Sequence, residues 1–434
     1  MADTLRRDEK DKGRINEEQY RPKLIDLLRF MGVAVVIGVA YTDPGNWGTD
    51  IAAGSKFGYS LLWVVLMSNL IGMLIQYLSS KLGIVTGYSL ADNCRLHLPR
   101  WQSFSLWGTA EVAAIATDLA EVIGAAIAIN LLFGIPLAYG AILTGFDTLL
   151  ILGLERKGVK KVEAVIIGMV IIISVAYLLE IYLAKPDWSQ IVYHTFIPQL
   201  NDTRAIVVAV GILGATVMPH AIFLHSASAK ARANLMSYMK SRGSKDHLVK
   251  FSLTDTVVAL SIAGLVNGAI LVMSASVFYG NNIAVESIDN AYKSLAHTLG
   301  NLSSTAFAIA LLASGLGSSA VATLAGQVIF EGFTNWKIAL WKRRIVTRLI
   351  TLVPAIVAIS LGANALDLLV VSQVVLSLQL PFTVVPLVYF TNRKEVMGID
   401  FVNRGITKLA AFVCSAIIVS MNITLLVYQF ILVK

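Results

Sequence analysis

Two short motifs place metal-binding side chains beside residues that interrupt a helix. Residues 43–46 read Asp-Pro-Gly-Asn and residues 218–220 read Met-Pro-His, each within a long apolar segment. Proline removes a backbone hydrogen-bond donor, and glycine adds backbone freedom. Asp43 offers a carboxylate, Asn46 an amide oxygen and Met218 a thioether. Oxygen ligands alone suit Mg²⁺ and Ca²⁺, whereas a soft sulfur beside them favours Mn²⁺, Fe²⁺ and later first-row metals. The motifs therefore predict a site for a divalent transition metal.

An interrupted helix exposes backbone carbonyls as well as side chains, here those around Ala40 and Ala215. Irregular backbone at membrane depth is tolerated only where it is buried in protein or lines a cavity. A carboxylate such as that of Asp43 in a membrane segment indicates a functional site. One carboxylate with several neutral ligands would bind an ion weakly enough to release it. The pattern therefore predicts a transport site rather than a structural metal site.

Five titratable side chains are candidates for a proton route. Glu111, Asp118 and Glu121 are spaced by seven and three residues, which places them on one face of a helix. Acids on an intramembrane face are costly unless they line water or pair with cations. His220 and His225 follow the second interruption, and histidine titrates near neutral pH. We interpret these five as the proton route, with the aspartate of the first motif coupling proton to metal.

Other charged residues are interpreted by position. Arginines near a later apolar segment could be counter-ions to the acids: Arg343, Arg344 and Arg348. Four acidic residues fall near the ends of apolar segments and are expected to be solvated: Asp147, Glu180, Asp255 and Asp367.

The composition requires an all-α integral membrane protein. Of 434 residues, 56% are hydrophobic and 14% charged, against about 25% charged in a soluble domain. Because about 20 apolar residues cross a bilayer, the hydropathy pattern predicts about 11 transmembrane helices. Their approximate limits are 27–55, 59–83, 104–133, 136–154, 160–184, 204–229, 251–279, 304–331, 344–361, 364–390 and 409–432.

The distribution of Lys and Arg predicts the orientation. The net charge is +8, and most basic residues lie in the N-terminal tail and in every second loop. The positive-inside rule then places the N-terminus in the cytosol and the C-terminus outside, and no nucleic-acid partner is needed to explain the charge. Residues 1–26 lack the apolar core of a signal peptide and are expected to form a cytosolic tail. Cys94 and Cys414 form neither a disulfide framework nor a zinc motif.

The interrupted helices are spans 1 and 6, each the first of five. This arrangement predicts an inverted five-plus-five repeat of the LeuT-like type, with repeats at 27–184 and 204–390 and an additional helix 11 at 409–432. Two interrupted segments at matching places in two halves indicate a transporter binding site near the membrane midplane. We find no metalloprotease, nucleophile-elbow or phosphate-loop motif, so we expect no enzyme activity.

The motifs resemble those of the Nramp (natural resistance-associated macrophage protein, or divalent metal transporter) family. Besides the two interruptions, the matching segments are Thr117-Asp118-Leu119-Ala120-Glu121, Leu224-His225-Ser226, Ala325-Gly326-Gln327, Glu331-Gly332-Phe333 and Ser372-Gln373. The resemblance covers spans 1 to 10 and implies a proton-coupled importer of Mn²⁺ and Fe²⁺, and no cofactor is expected. Cd²⁺ and Co²⁺ also accept mixed oxygen and sulfur ligands, so they are expected as further cargo. The resemblance assigns as ligands Asp43, Asn46, Met218 and the carbonyl of Ala215, with the carbonyl of Ala40 and the side chain of Gln373 as state-dependent ligands. It also assigns the acids of span 3 and His220 to the proton route.

Three positions depart from the family pattern. Ala221 stands where asparagine is usual, and Leu316 and Gly317 stand where glutamine and serine are usual. The alternatives are a related transporter selective for Mg²⁺ and an uncoupled metal uniporter. Met218 and Asn46 argue against the magnesium branch of the family. The expected setting is a prokaryotic cell (inner) membrane, with lipid, metal and protons as partners and a monomer as the functional unit.

Overall fold

The structure, a computed structural model, describes residues 38–145, 159–200, 202–235 and 242–428. Within these residues the chain is helical and contains no strand. The helices are α1 Pro44–Phe57, α2 Leu62–Thr86, α3 Leu90–His97, α4 Arg100–Phe133, α5 Leu137–Thr144, α6 Val159–Ala184, α7 Trp188–Phe196, α8 Ala205–Val217, α9 Pro219–Leu235, α10 Arg242–Ser274, α11 Ile288–Leu299, α12 Asn301–Thr334, α13 Leu340–Ser360, α14 Ala365–Thr391, α15 Lys394–Phe401 and α16 Gly405–Val427.

Eight stretches of the described chain are long and apolar enough to cross a membrane. One of them, Pro44–Thr86, joins predicted spans 1 and 2 through the 3₁₀ turn Gly58–Leu61. The basic helix α13 corresponds to predicted span 9 but is not among the eight. Residues 146–154 of predicted span 4 and the predicted tail 1–26 lie outside the described residues.

The first predicted interruption is confirmed. The backbone leaves the helix at residues 41–43, and α1 begins at Pro44. Proline suits this first helical position because its missing N–H would have no intrahelical partner there. Asp43 caps the helix, since its side chain accepts a hydrogen bond from the Asn46 backbone N–H at 2.8 Å. The helix start therefore places a carboxylate at the interruption.

The second predicted interruption is also confirmed, and it is only one residue long. Helix α8 ends at Val217, α9 begins at Pro219, and Met218 between them has φ +38°. Positive φ is strained for a side chain such as methionine. Such strain persists where the surrounding structure fixes it, often at functional sites.

Close packing brings the interrupted helices together. Helix α1 packs against α8, α10 and α14, while α4 packs along α12 and α14. At Gly214 on α8, an added Cβ would lie 2.2 Å from the Gln373 backbone oxygen of α14. The absence of a side chain at Gly214 therefore permits the close approach of these two helices.

The short helix α3 forms hydrogen bonds with two of the long apolar helices, α9 and α12. The Asp92 carboxylate accepts a hydrogen bond from Lys230 Nζ of α9 at 2.8 Å. Arg95 Nε donates to the Gly332 carbonyl of α12 at 2.7 Å. These contacts fasten α3 across the ends of α9 and α12.

Candidate metal site and proton route

The two interruptions meet at the side chain of Asn46. Its Nδ2 donates to Asp43 Oδ1 at 2.8 Å and to the Ala215 carbonyl at 3.1 Å. All three residues are buried. The second carboxylate oxygen, Asp43 Oδ2, has no hydrogen-bond partner among the described residues. Two oxygens that could bind a metal, one from a carboxylate and one from a backbone carbonyl, are thus held together by the amide of Asn46.

Met218 and Ala40 lie in one hydrophobic cluster that includes Ala221 and Tyr41. Both Met218 and Ala40 are buried, with 0% and 1% exposure. The clustering brings the predicted thioether to the same region as the residues that precede the first interruption. It also places Ala221, one of the three departures from the family pattern, within this apolar cluster.

Gln373 of α14 lies against the first interruption. A Cβ at Gly45 would lie 1.7 Å from Gln373 Nε2 and 3.0 Å from Asp43 Oδ2. Gln373 Nε2 donates to Ser372 Oγ at 3.1 Å, and its Oε1 has no hydrogen-bond partner among the described residues. The structure therefore brings the Gln373 amide beside the Asp43 carboxylate, where the resemblance predicts it.

Asn267 of α10 is a site residue that sequence reasoning missed. Its Nδ2 donates to the Tyr41 carbonyl at 2.9 Å and to Asn46 Oδ1 at 3.1 Å. The amide oxygen of Asn46 therefore accepts from Asn267, while its nitrogen faces the Asp43 and Ala215 oxygens. The Asn46 amide must turn before its oxygen can face a metal held by those two groups. The only available signal in the sequence was a lone asparagine within an apolar span.

The two candidate histidines contact different helices. His220 Nδ1 lies 3.1 Å from Thr117 Oγ1 of α4, so it faces the helix of the candidate acids. His225 Nδ1 lies 2.9 Å from Gln76 Oε1 of α2. Both are buried. Within the part of the chain that the structure describes, His220 has a side-chain contact with the acid-bearing helix, whereas the side-chain contact of His225 is with α2.

Two of the three candidate acids of α4 pair with arginines of α13. Asp118 accepts a hydrogen bond from Arg348 Nη1 at 2.5 Å and another from the hydroxyl of Thr351. Both carboxylate oxygens of Glu111 lie 2.8 Å from Arg343 Nη2. The counter-ion prediction is therefore confirmed for Arg343 and Arg348. The side chain of Arg344 lies outside what the structure describes.

A small cavity adjoins these ion pairs between α4, α12 and α13. It has a volume of about 30 Å³ and is lined by residues that include Asp118, Gln327, Arg343 and Arg348. A cavity needs roughly 10–15 Å³ to hold one water. The third acid, Glu121, is buried three residues further along α4. The acids therefore extend from a water-sized cavity into the protein interior.

Two residues expected to be solvated are buried, and those expectations were wrong. Glu180 is 0% and Asp255 4% exposed. Glu180 lies on a face of α6 that is turned toward the protein. Helix α10 begins at Arg242, earlier than predicted, so Asp255 lies well inside it. Asp367 is exposed as expected. The fourth residue of this group, Asp147, lies outside the described residues.

The departure at Gly317 has a steric reason. An added Cβ there would lie 2.8 Å from Val39 Cγ1 and 3.2 Å from Met169 Sδ. The serine that is usual in the family would therefore require these side chains to move.

Comparison with known proteins gives a family match over most of the chain. The family model described as natural resistance-associated macrophage protein-like matches residues 34–428. A divalent metal cation transporter MntH of Caldanaerobacter subterraneus is 46% identical over 404 residues, which cover 92% of this chain and 93% of that protein. A divalent metal cation transporter MntH of Listeria welshimeri is 46% identical over 411 residues, covering 93% and 90% respectively.

Two solved structures are similar in fold to this chain. The Eremococcus coleocola manganese transporter, crystallised with an aromatic bis-isothiourea compound, has a TM-score of 0.84 and 36% identity, covering 94% of this chain and 89% of that chain. A nucleobase-cation-symport-1 family transporter in a closed conformation has a TM-score of 0.61 at 11% identity, covering 92% of each chain. This second likeness concerns the fold alone and supports the LeuT-like architecture.

Proposed function

This chain belongs to the Nramp family of metal transporters, and from that premise we propose that it is a proton-coupled importer of divalent transition metals, chiefly Mn²⁺ and Fe²⁺. It is a transporter and not an enzyme. The observation that carries the proposal is the junction in which Asn46 joins the Asp43 carboxylate to the Ala215 carbonyl, at 2.8 and 3.1 Å. The two interrupted helices meet there, where alternating access requires a shared site.

The proposed metal ligands combine hard and soft donors. Asp43 supplies the single charge, the carbonyls of Ala215 and Ala40 supply neutral oxygens, and Met218 supplies sulfur. This set suits Mn²⁺ and Fe²⁺, and also Cd²⁺ and Co²⁺, better than Mg²⁺ or Ca²⁺. Gln373 is the proposed state-dependent ligand, because its amide already lies against the first interruption.

Metal binding would require a local exchange of hydrogen bonds. In the described conformation, Asn46 donates to both Asp43 and Ala215 while its oxygen accepts from Asn267. A cation bound between the Asp43 carboxylate and the Ala215 carbonyl would take the place of the Asn46 N–H group that now donates to both oxygens. Asn46 can then turn its own oxygen toward the metal. The same amide therefore satisfies the site when it is closed and serves as a ligand when it is filled.

The proposed proton route runs along α4 from the metal site. His220 links the second interruption to Thr117, and Asp118 next to it lines the cavity. Glu121 and Glu111 complete the series on the same helix. The arginine partners of Asp118 and Glu111 supply counter-charges beside these acids. Asp43 is the proposed point where metal and proton compete for one carboxylate. His225, whose Nδ1 lies 2.9 Å from Gln76 Oε1, is proposed as a branch of the route toward α2.

The experiment is a paired flux measurement in proteoliposomes. Mn²⁺ entry is followed with a trapped metal-quenched dye and proton entry with a trapped pH dye, for the wild type and Asp118→Asn. The proposal predicts that Mn²⁺ drives proton entry in the wild type and that Asp118→Asn reduces proton entry more than Mn²⁺ entry. Asp367→Asn, an exposed carboxylate on α14, is the matched control. Mn²⁺ entry without proton entry in the wild type would instead support the uncoupled uniporter.

We also propose that the chain acts as a monomer in a prokaryotic cell membrane, with its N-terminus in the cytosol. The support for the membrane and its orientation is the alternation of basic loops and the bacterial source of the relatives. The support for the monomer is that both interrupted helices at the candidate site come from one chain.

A further inference from the structure

A second group of buried polar side chains lies away from the candidate metal site. Asp50 follows Asp43 by seven residues along α1, about 10 Å at 1.5 Å per residue. Tyr177 and Glu180 lie near the end of α6, three residues apart and therefore on one face. By the predicted topology, both helix ends point to the outside of the membrane. The metal site and the proposed proton route use none of these three side chains.

Glu180 and Tyr177 are buried without hydrogen bonds. Glu180 is 0% and Tyr177 2% exposed. Among the described residues, neither carboxylate oxygen of Glu180 nor the Tyr177 hydroxyl has a hydrogen-bond partner. The Tyr177 hydroxyl lies within electrostatic range of both Glu180 and Asp50. Its ring packs edge-on against Trp47, with 5.0 Å between ring centroids.

The surroundings of this pair are apolar. Tyr177 belongs to a core cluster with Ile173, Leu295 and Phe307. The helices packed against α6 are chiefly α12, α10 and α11. None of the titratable and charged side chains that these helices carry in the described residues forms a hydrogen bond with Glu180 or with the Tyr177 hydroxyl, although Tyr292 packs against the same core cluster. The side chains concerned are Asp289, Tyr292, Lys293 and His297 on α11, Lys245, Asp246, His247, Lys250 and Asp255 in the first half of α10, and Glu331 at the far end of α12.

No cation among the described residues forms a hydrogen bond or an ion pair with Glu180, and Lys185, just beyond the end of α6, is exposed. The nearest lysine of α11, Lys293, is exposed and pairs with Asp289 at 2.5 Å. Asp50, the other charged group within electrostatic range of Tyr177, is itself acidic. A lone charged carboxylate in an apolar interior is far less stable than the neutral acid. The burial and the missing partners together require Glu180 to carry a proton in this conformation.

We infer that Glu180, with the Tyr177 hydroxyl beside it, is a proton-binding site on the outward side of the metal site. It is separate from the acids of α4 and their arginine partners. The inference rests on the proposed function, because the bound proton would be one that enters from the outside together with the metal. When the outer half opens and water reaches α6, Glu180 exchanges this proton with the external solution. No bond other than that between the proton and the carboxyl oxygen is made or broken.

The test is infrared spectroscopy of the full-length protein in lipid at neutral pH. A protonated carboxylic acid gives a carbonyl stretching band that an ionised carboxylate lacks. Glu180→Gln should remove one such band, and Tyr177→Phe should shift it by changing its polar neighbour. Asp367→Asn is the control and should leave the band unchanged, because that side chain is exposed. A spectrum of Glu180→Gln identical to that of the wild type would overturn the inference.

A flux measurement supplies the second readout. Glu180→Gln should keep Mn²⁺ entry at acidic external pH within about twofold of the wild type. The slope of the logarithm of the entry rate against external pH should become smaller by about one, because one proton fewer is bound. An unchanged pH dependence would contradict the inference. The Tyr177→Phe spectrum keeps the test decisive if Glu180→Gln does not fold. Failure of the wild type to transport Mn²⁺ would refute the proposed function instead, and the infrared band would not depend on that result.

Discussion

Substitution of Gly214 by alanine tests how the two interrupted helices are held at the metal site. The added Cβ would lie 2.2 Å from the Gln373 backbone oxygen and 2.6 Å from the Ser377 backbone nitrogen. Both atoms belong to the backbone of α14, so no side-chain rotation can relieve the contact, and α8 must move. Overpacking of this kind costs about 1–3 kcal/mol. Because Ala215 follows Gly214, its carbonyl must also move from Asn46, which now lies at 3.1 Å.

The matched control is Gly168→Ala on α6, where an added Cβ meets no described atom within 4 Å. Alanine in a helix interior should stabilise that variant by about 0.5–1 kcal/mol. The assays are thermal unfolding in detergent and calorimetric titration with Mn²⁺. We expect Gly214→Ala to unfold at lower temperature and to bind Mn²⁺ about tenfold more weakly, which is about 1.4 kcal/mol. A Gly214→Ala protein with wild-type Mn²⁺ affinity would refute the placement of the Ala215 carbonyl in the site.

Three further predictions concern selectivity, pH and the Gln373 ligand. Met218→Ala should keep Mn²⁺ transport but let Ca²⁺ and Mg²⁺ compete, because the thioether sulfur is the ligand that disfavours these two ions. Unchanged competition in a flux assay would mean that Met218 only packs in the core and is not a ligand. Burial raises the pKa of Asp92, but hydrogen bonds, chiefly from Lys230, outweigh it and hold the pKa below its ordinary value. The ionised Asp92 therefore stabilises the fold at any pH above the ordinary aspartate pKa of about 3.9, and this stabilisation is lost as the pH falls below that value. Asp92→Asn should lower the free energy of unfolding by about 1 kcal/mol at neutral pH. At strongly acidic pH it should have no effect. In Gly45→Ala the added Cβ would lie 1.7 Å from Gln373 Nε2 and 3.0 Å from Asp43 Oδ2, so the end of the Gln373 side chain must move away from the Asp43 carboxylate. The variant should weaken Mn²⁺ binding in a calorimetric titration with little change in melting temperature.

The helix interruptions could be predicted because their causes are local. Proline at positions 44 and 219 removes the backbone donor that would continue a preceding helix. Helices α13 and α14 nevertheless continue through Pro354, Pro381 and Pro386, so it is the polar and glycine neighbours in the Asp-Pro-Gly-Asn and Met-Pro-His motifs that distinguish the two interruptions. The same local chemistry placed Asp43 and Met218 at the interruptions. The alternation of basic loops further constrained the number and order of the spans. These features depend on neighbours in sequence, so a single sequence contains them.

The buried environments of single polar residues could not be predicted in the same way. The contact between Asn267 and Asn46 joins residues 221 positions apart, and no local pattern specifies it. Glu180 and Asp255 were expected in solvent because they lie near predicted span ends, but helix packing decides which face is covered. The partners of the acids also come from packing, although arginines near span 9 indicated that counter-ions were available.

The most direct test of the metal site is Mn²⁺ entry into proteoliposomes by Asp43→Asn, measured with a large excess of Ca²⁺ outside. Asparagine keeps the shape of the side chain but removes the charge. Asp367→Asn is the control for loss of a carboxylate elsewhere on the protein. The account predicts saturable Mn²⁺ entry that resists Ca²⁺ in the wild type and the control, and no entry in Asp43→Asn. Normal Mn²⁺ entry by Asp43→Asn would contradict the assignment of the site to the two interrupted helices.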